Sequence, residues 1–189
     1  MRLNHKKHQK QVDVQSIDKE RMIEELVDTL GTHILRLAFT YVKDKKIAED
    51  ITQEVFLKCF QKWDQFRGDS NIKTWVYSIT INLCKDYLKS WSFRNLLFYD
   101  FTTRQDGFGE NALDLLLEKS QKKRLATHVL NLPIKYREVL ILFYYEDYSI
   151  EEISTFLNTN ENTLRTRLRR AKELLKKAYL KEKRDEYGQ

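Results

Sequence analysis

Residues 149–177 read SIEEISTFLNTNENTLRTRLRRAKELLKK, and this stretch decides how the rest of the chain is interpreted. Ser149 and Glu152 stand three apart at the start of an apolar stripe, which predicts a capping box and a short helix. The residues LNTN then favour a turn, and Asn160 can cap a longer basic helix over about 161–181. A short helix, a tight turn and a longer basic helix form the layout of a helix-turn-helix, whose second helix lies in the DNA major groove.

The apolar positions of this segment predict which side of the basic helix reaches DNA. We expect the apolar residues of the two helices to pack on each other; they are Ile153, Phe156, Leu157, Leu164 and Leu168. The side chains on the opposite face near the helix start can then reach base edges and phosphates; they are Asn162, Arg165, Thr166, Arg169 and Arg170. The alternative is a basic helix whose charges only face solvent.

Composition narrows the class of protein. The 189 residues are 33% charged and include five Gly and one Pro, which favours helices with short connections, so we expect an all-α fold. The formal charge of +6 indicates a polyanionic partner, because clustered Lys and Arg bind phosphates with release of counterions. The excess is local, since residues 161–184 contain ten Lys or Arg against three Glu.

Other classes of protein lack support in the sequence. No run approaches the roughly 18–20 apolar residues of a membrane span, and the start, MRLNHKKHQKQ, lacks the apolar core of a signal peptide. We therefore expect a cytoplasmic protein without stable membrane insertion. Cys59 and Cys84 sit in apolar helical patterns and are expected to be buried free thiols. The four histidines form no HExxH or other closed ligand pattern, so we expect no metal, no cofactor and no enzymatic activity.

The pattern along the chain predicts two small helical domains. We expect a flexible basic tail over 1–20, a first domain over 21–92, a linker over 93–110, a second domain over 111–184 and a short tail over 185–189. The linker is flexible in this interpretation, because periodicity fails there and Gly107 and Gly109 appear.

Caps and breakers predict the helix boundaries of the first domain. Its first helix, over about 21–43, is expected to be interrupted or bent at Gly31, and Asp44 can cap the second helix. The turn RGDSN precedes a third helix over about 72–91, with Ser70 or Asn71 as its cap.

The second domain is expected to begin with a helix from Asn111 to about Leu130. Pro133 suits the first turn of the next helix, over about 133–146. That helix includes VLILFYY, which has the composition of a buried strand but no alternating partner elsewhere in the chain, so we interpret it as helical.

Aromatic and polar residues around the third helix form a second candidate site. Trp75 stands near Phe66 and Tyr77, and a polar row runs along the same helix; its members are Ser78, Asn82, Lys85 and Lys89. Aromatic rings beside lysines can stack unpaired bases, and the Asn82 amide can recognise a base edge. The alternative is that the aromatic rings belong to the core.

A third candidate surface is acidic. Asp50, Gln53 and Glu54 are spaced i, i+3 and i+4, so their side chains share one helix face. Such a row is usually a solvated face, and protein docking is the functional alternative.

Three segments, taken in order, resemble the extracytoplasmic-function subgroup of the sigma-70 family. They are AEDITQEVFLK, FRGDSNIKTWVYSITINLCKDYLKS and LPIKYREVLILFYYEDYSIEEISTFLNTNENTLRTRLRRAKELL, and the similarity spans about residues 26–180. The resemblance implies an alternative sigma factor whose partners are core RNA polymerase and promoter DNA. An anti-sigma factor as a further partner rests on family likeness alone.

The resemblance also implies roles for the candidate residues. Asp50, Gln53 and Glu54 would dock on the polymerase clamp, and the basic helix of the last segment would read the minus-35 element. The middle segment would melt and read the minus-10 element, and its residues Phe66, Asn82, Lys85 and Asp86 match positions that line the pocket for an extruded base.

This chain departs from the family pattern at a few positions. The usual Glu-Ile-Ala of the short helix is Glu152-Ile153-Ser154 here, and the usual Gly-Thr-Val is Asn162-Thr163-Leu164. Both changes are small enough to keep the fold. Phe143 replaces a common arginine, so one upstream DNA contact of the family does not carry over.

Two other functions compete with this interpretation. An ordinary helix-turn-helix regulator with an N-terminal effector or dimerisation domain would explain residues 149–177 but not the acidic row or Asn82. A metal-dependent hydrolase would need a ligand set that the sequence does not show.

Overall fold

The computed structural model describes the backbone of residues 3–66, 68, 71–97 and 120–187, and this part of the chain is helical, as expected, without a strand. The helices in chain order are α1 (Leu3–Val42), α2 (Lys45–Lys62), α3 (Ile72–Leu97), α4 (Ser120–Asn131), α5 (Ile134–Tyr144), α6 (Ile150–Leu157) and α7 (Glu161–Tyr187), with a 3₁₀ turn at Trp63–Gln65. No helix among these is both long and apolar enough to cross a membrane.

Helices α1, α2 and α3 pack on one another and form an N-terminal bundle. Leu30, Ile34 and Leu37 give α1 its buried stripe, and Val55 and Ile81 meet it from the other two helices. The predicted cap of α2 is confirmed, because the Asp44 side chain accepts a hydrogen bond from the Ile47 amide at 3.0 Å.

In three places a helix of this bundle continues further than the sequence predicted. The backbone is helical from Leu3, so the residues assigned to a flexible tail extend α1, which lacks Pro and contains good helix formers such as Lys, Gln and Glu. Gly31 neither interrupts nor ends α1, because Leu30 and Ile34 on either side are buried and hold it in place. Helix α3 continues to Leu97 into the expected linker, where no Gly or Pro ends it earlier.

Helices α4 to α7 form the C-terminal bundle, in which α5 lies across α7. The run VLILFYY is helical through Tyr144, as expected, with Tyr145 as the C-cap, and its first four residues are buried in α5. Pro133 takes the cap position of α5, one residue before the helical position expected for it. The expected helix start at Asn111, the rest of the linker and the last two residues of the short C-terminal tail lie outside the described residues.

The buried Arg137 guanidinium closes the C-terminal end of α4. It donates hydrogen bonds to the carbonyl oxygens of Leu130 and Leu132, two of the acceptors that a helix end leaves unpaired. Burial lowers the pKa of Arg137 to about 10, with the neighbouring Tyr41 and Glu138 opposing that shift. The side chain therefore stays charged near neutral pH and ties α4 to α5.

The two bundles also pack against each other, which the sequence did not predict. Helix α3 contacts α6, and α1 contacts α5, so that the buried apolar residues form one continuous core. Tyr77 of α3 packs edge-on against Tyr148 and stacks on Phe156, with ring centroids 5.0 and 6.1 Å apart. This contact fixes how the candidate surfaces are presented.

Candidate nucleic-acid interface

Helices α6 and α7 form the expected helix-turn-helix. The capping box is confirmed: the Glu152 amide donates to Ser149 Oγ at 3.2 Å, and the Ser149 amide donates to Glu152 Oε2 at 2.8 Å. Asn158 ends α6 in the left-handed conformation, φ 47°, which asparagine tolerates better than most residues. Asn160 then accepts a hydrogen bond from the Asn162 amide at 2.9 Å, as expected for the cap of α7.

The apolar side of this motif is buried as expected, so the opposite side of α7 faces outward. Ile153 and Leu164 are fully buried, and the five residues predicted to meet DNA are exposed. These are Asn162, Arg165, Thr166, Arg169 and Arg170. All of them except Arg165 border a hollow whose other wall carries Lys135 and Tyr136 of α5.

The outward arginines are held in place by acids of their own helix. Arg165 lies 3.0 Å from Glu161, while Arg169 and Arg170 lie 3.7 and 3.0 Å from Glu173. Exposed pairs of this kind contribute about 0–1 kcal/mol, so a phosphate can replace the carboxylate at little cost. The arginine side chains are therefore oriented in advance and remain accessible to DNA.

Three aromatic rings cluster at the start of α3. Phe66 and Trp75 have ring centroids 5.1 Å apart, and Trp63 lies 6.3 and 6.4 Å from them. All three are half-buried, so ring surface remains available for stacking. Tyr77 does not belong to this cluster, contrary to the prediction, because it is only 2% exposed and packs between the bundles.

The polar row of α3 is divided between solvent and the bundle contact. Asn82 is exposed, as are Asp86 and Lys89, whose charged groups lie 3.6 Å apart. The Ser78 hydroxyl donates to the Thr74 carbonyl oxygen of its own helix at 2.9 Å. Lys85, predicted to face DNA, turns toward α5 and lies 3.7 Å from the buried carboxylate of Glu138.

The acidic row on α2 is exposed along one face of that helix. Asp50, Gln53 and Glu54 all face solvent, and Glu54 lies 3.8 Å from Lys58 one turn on. The opposite side of α2 buries Ile51, Val55 and Cys59. The three side chains of this row therefore take no part in the core packing of the described residues.

Two buried glutamates hold the bundles together, and sequence reasoning missed both. The first is Glu146, whose side chain is 3% exposed; it accepts the Tyr77 hydroxyl at 2.5 Å, while His33 Nδ1 lies 2.9 Å from the same oxygen. Its other oxygen is buried and has no partner among the described residues. Burial, together with the hydrogen bond to Glu146, raises the pKa of Tyr77, so this hydroxyl stays a donor.

The second, Glu138, collects three partners. It accepts the Tyr41 hydroxyl at 2.9 Å and lies 3.7 Å from Lys85 and 3.4 Å from Arg167. Burial and this carboxylate raise the pKa of Tyr41 well above its ordinary value. The signal that could have identified both glutamates is their position, since they stand directly before and after the apolar run in REVLILFYYE.

The described residues contain no group of three or more His, Cys, Asp or Glu side chains placed to hold a metal ion. Cys59 and Cys84 are buried free thiols, as expected. Burial raises the pKa of each thiol to about 12, which keeps both protonated and unreactive near neutral pH.

Comparison with known families matches both bundles. Residues 26–93 match the model of sigma-70 region 2, and residues 123–175 match that of sigma-70 region 4. Together they cover more than half of the chain, which therefore belongs to the sigma-70 family of RNA polymerase sigma factors. This confirms the family that the three sequence segments suggested.

Individual relatives refine this result. The chain is 33% identical over 174 residues to the RNA polymerase sigma-H factor of Pseudomonas aeruginosa, covering 87% of this chain and 89% of the relative. It is 29% identical over 164 residues to the ECF RNA polymerase sigma factor SigW of Bacillus subtilis, covering 81% and 86%. These matches place it in the extracytoplasmic-function subgroup, whose alternative sigma factors direct promoter-specific transcription.

A solved structure supports the fold. The sigma factor RpoE from Bartonella quintana, determined in complex with the anti-sigma factor NepR, superposes with a TM-score of 0.62 at 21% identity. The alignment covers 84% of this chain and 96% of that one.

Proposed function

We propose that three surfaces divide the work of promoter recognition. The acidic row of α2 docks on core RNA polymerase. The aromatic cluster and the exposed polar residues of α3 open and read the minus-10 element, and the outer face of α7 reads the minus-35 element. The observation that carries this proposal is that all three surfaces are exposed while the apolar sides of their helices are used in packing.

The minus-10 assignment rests on the chemistry of separated strands. Bases in a duplex hide their pairing edges, whereas an extruded base can be held by stacking and by an amide hydrogen bond. Asn82 offers an exposed amide, and the rings of Phe66 and Trp75 offer apolar surface on the same bundle. Lys89 adds positive charge along the helix, while Lys85 can reach DNA only after it leaves Glu138.

The central experiment is run-off transcription by core polymerase with parent or Asn82→Ala protein. We compare an intact promoter with one whose minus-10 region is already unpaired. The variant should open the intact promoter poorly and recover on the unpaired one, while core binding and thermal stability stay at parental values. A stably folded variant that opens both promoters like the parent would refute the base-pocket role of Asn82.

Docking is tested by reversing one charge of the acidic row. Glu54→Lys should weaken binding to core polymerase without unfolding α2, because Glu54 is exposed and its only described ion pair joins it to Lys58. Glu25→Lys makes the same charge change at an exposed position of α1 and is the matched control. Equal core affinity of the two variants would remove the α2 row from the interface.

Minus-35 recognition is tested at Arg165, which is exposed beside Glu161. Arg165→Ala should cost about 1–3 kcal/mol of promoter binding if the lost contact is to a base, and the loss should depend on the minus-35 sequence. An equal loss on every upstream sequence would identify a phosphate contact instead.

An ordinary helix-turn-helix regulator need not hold core polymerase without DNA, so a pull-down with core alone separates it from a sigma factor. We further propose that the chain catalyses no reaction of its own and acts in the cytoplasm, where RNA polymerase meets the chromosome. Hydrolytic activity that a chelator abolishes would contradict the first point.

An anti-sigma partner is also proposed, and one apolar hollow is its candidate contact. The hollow, of about 350 Å³, opens between α1, α4 and α5 and is lined by Leu125, Val129, Ile141 and Tyr144, of which Leu125 and Tyr144 are largely exposed. Exposed apolar groups that cluster in this way are typical of a protein contact. Co-purification of the tagged chain from its host, compared with Leu125→Lys, tests the assignment.

A further inference from the structure

Helix α7 continues well past the part that matches the family. The region 4 match ends at residue 175, whereas α7 continues to Tyr187. The additional turns carry four exposed lysines, Lys176, Lys177, Lys181 and Lys183. The DNA contacts proposed for the helix-turn-helix lie at the start of α7 and do not involve these turns.

The added lysines extend the outer face of α7 rather than covering another side. With about 100° between successive residues, Arg165, Arg169, Lys172, Lys176 and Lys183 fall within about 60° of one another. Lys177 and Lys181 follow the neighbouring row that begins at Thr166 and Arg170. One basic surface thus spans about 27 Å from Arg165 to Lys183, at 1.5 Å per residue.

The charge of this extension is directed outward. Glu182, the acid within its basic run, turns inward, where it lies 2.7 Å from His128 and 4.0 Å from Arg124 of α4. No ion pair among the described residues involves Lys172, Lys176, Lys177 or Lys181, in contrast to the arginines at the start of the helix. Because α4 packs on α7, the extension is held to the bundle rather than projecting alone.

The length of α7 limits which part of DNA its basic surface can contact. A recognition helix contacts base edges with its N-terminal residues, and the major groove is only about 12 Å wide. A straight helix of about 40 Å must therefore leave the groove and run beside the phosphate backbone. Lysine, a compact charge on a flexible stem, suits a phosphate better than a base edge.

We infer that the extension of α7 is a second DNA contact, which binds backbone phosphates of the duplex flanking the minus-35 element without reading sequence. The inference rests on the proposed reading of that element by the start of α7. The phosphate contact adds affinity and salt dependence to the complex, while sequence specificity depends on Asn162 and the outward arginines.

The test uses reconstituted holoenzyme on a duplex promoter fragment. The variant Lys176→Gln/Lys177→Gln/Lys181→Gln keeps good helix formers and removes three charges. Lys45→Gln/Lys46→Gln/Lys62→Gln makes the same charge change at exposed positions of α2 and is the control. Affinity is measured at about 50 and at about 200 mM salt. Over this range the parent should lose about 40-fold more affinity than the triple variant, because the variant lacks three phosphate contacts.

Neutral methylphosphonate linkages then locate the contact. A patch on one flank of the minus-35 element should weaken the parental and control holoenzymes and leave the triple variant unchanged. A triple variant with the parental salt dependence overturns the inference. Loss of affinity for core polymerase without DNA also overturns it, because the lysines would then face the enzyme.

Failure of this inference can be separated from failure of the proposed function. If Arg165→Ala loses minus-35 discrimination while the triple variant binds like the parent, only the second contact is wrong. If Arg165→Ala discriminates like the parent, the reading role of α7 itself fails.

Discussion

Tyr77→Phe tests whether the contact between the bundles depends on the buried carboxylate of Glu146. The substitution keeps the ring that packs against Tyr148 and Phe156 and removes only the hydroxyl, which donates to Glu146 at 2.5 Å. Because Tyr77 is 2% exposed and one oxygen of Glu146 is already buried without a described partner, no water easily replaces the lost donor.

The expected loss of unfolding free energy is about 2–3 kcal/mol. A hydrogen bond to a charged group is worth about 1.5–3 kcal/mol, and after the substitution the Glu146 oxygen that accepted it keeps only His33, 2.9 Å away, as a partner. Against a total of about 5–15 kcal/mol for a typical protein, such a loss is easily measured. Urea denaturation followed by circular dichroism gives the value for the full chain.

The assignment to one pair of residues needs a double-mutant cycle. Tyr77→Phe and Glu146→Gln, alone and together, should show a coupling energy of about 1–2 kcal/mol, whereas Tyr144→Phe, which removes a hydroxyl from an exposed residue of α5, should stay within about 0.5 kcal/mol of the parent. A Tyr77→Phe loss below about 0.5 kcal/mol, with no coupling, would refute the reasoning.

Three further predictions concern titration, thiol reactivity and helix stability. Because burial raises the pKa of Tyr41 and Tyr77, their stabilisation is present below the unfolded tyrosine pKa near 10 and is lost above it, by about 1.4 kcal/mol per pH unit for each group. Stability measured from pH 9 to 11.5 should fall less steeply once either residue is Phe; an unchanged slope contradicts this. Cys59 and Cys84, with pKa values raised to about 12, should react with iodoacetamide at pH 8 only after unfolding in urea, as mass spectrometry would show; rapid labelling of the folded chain argues against their burial. Gly31→Ala should raise the midpoint of thermal unfolding, by about 0.5–1 kcal/mol in free energy, because nothing lies within 4 Å of the added Cβ in α1, and a lower midpoint would show a hidden clash.

Short-range signals explain what the sequence could predict. The caps at Asp44 and Asn160 and the capping box of α6 involve residues two or three apart, so a local pattern contains the whole interaction. The outward face of α7 was predictable for the same reason, since helical spacing separates its buried leucines from its arginines. The family-specific segments then supplied the roles that periodicity alone leaves open.

What the sequence could not predict depends on residues far apart along the chain. Glu146 meets His33 across 113 positions and Tyr77 across 69, and no local pattern relates them. The packing of the two bundles also buries Tyr77, which was predicted to stack on bases. It brings Lys85 beside Glu138 instead of leaving it free to face DNA. Helix ends were misjudged where a stretch without Gly or Pro continued a helix further than expected, at the start of α1 and the end of α3.

The chemistry of the bundle contact bears on how the two DNA-reading surfaces can act together. Separation of the bundles would let water solvate both glutamates, including the Glu146 oxygen that lacks a described partner, and hydration would recover much of their burial cost. A contact that depends on such groups opens more easily than an apolar one of equal area. Lys85 connects this contact to the proposed minus-10 surface, since it lies 3.7 Å from Glu138 and must leave that carboxylate to reach DNA. Such a contact suits the proposed reading of two promoter elements by one chain, because it orders the two bundles without the full cost of separating an apolar interface.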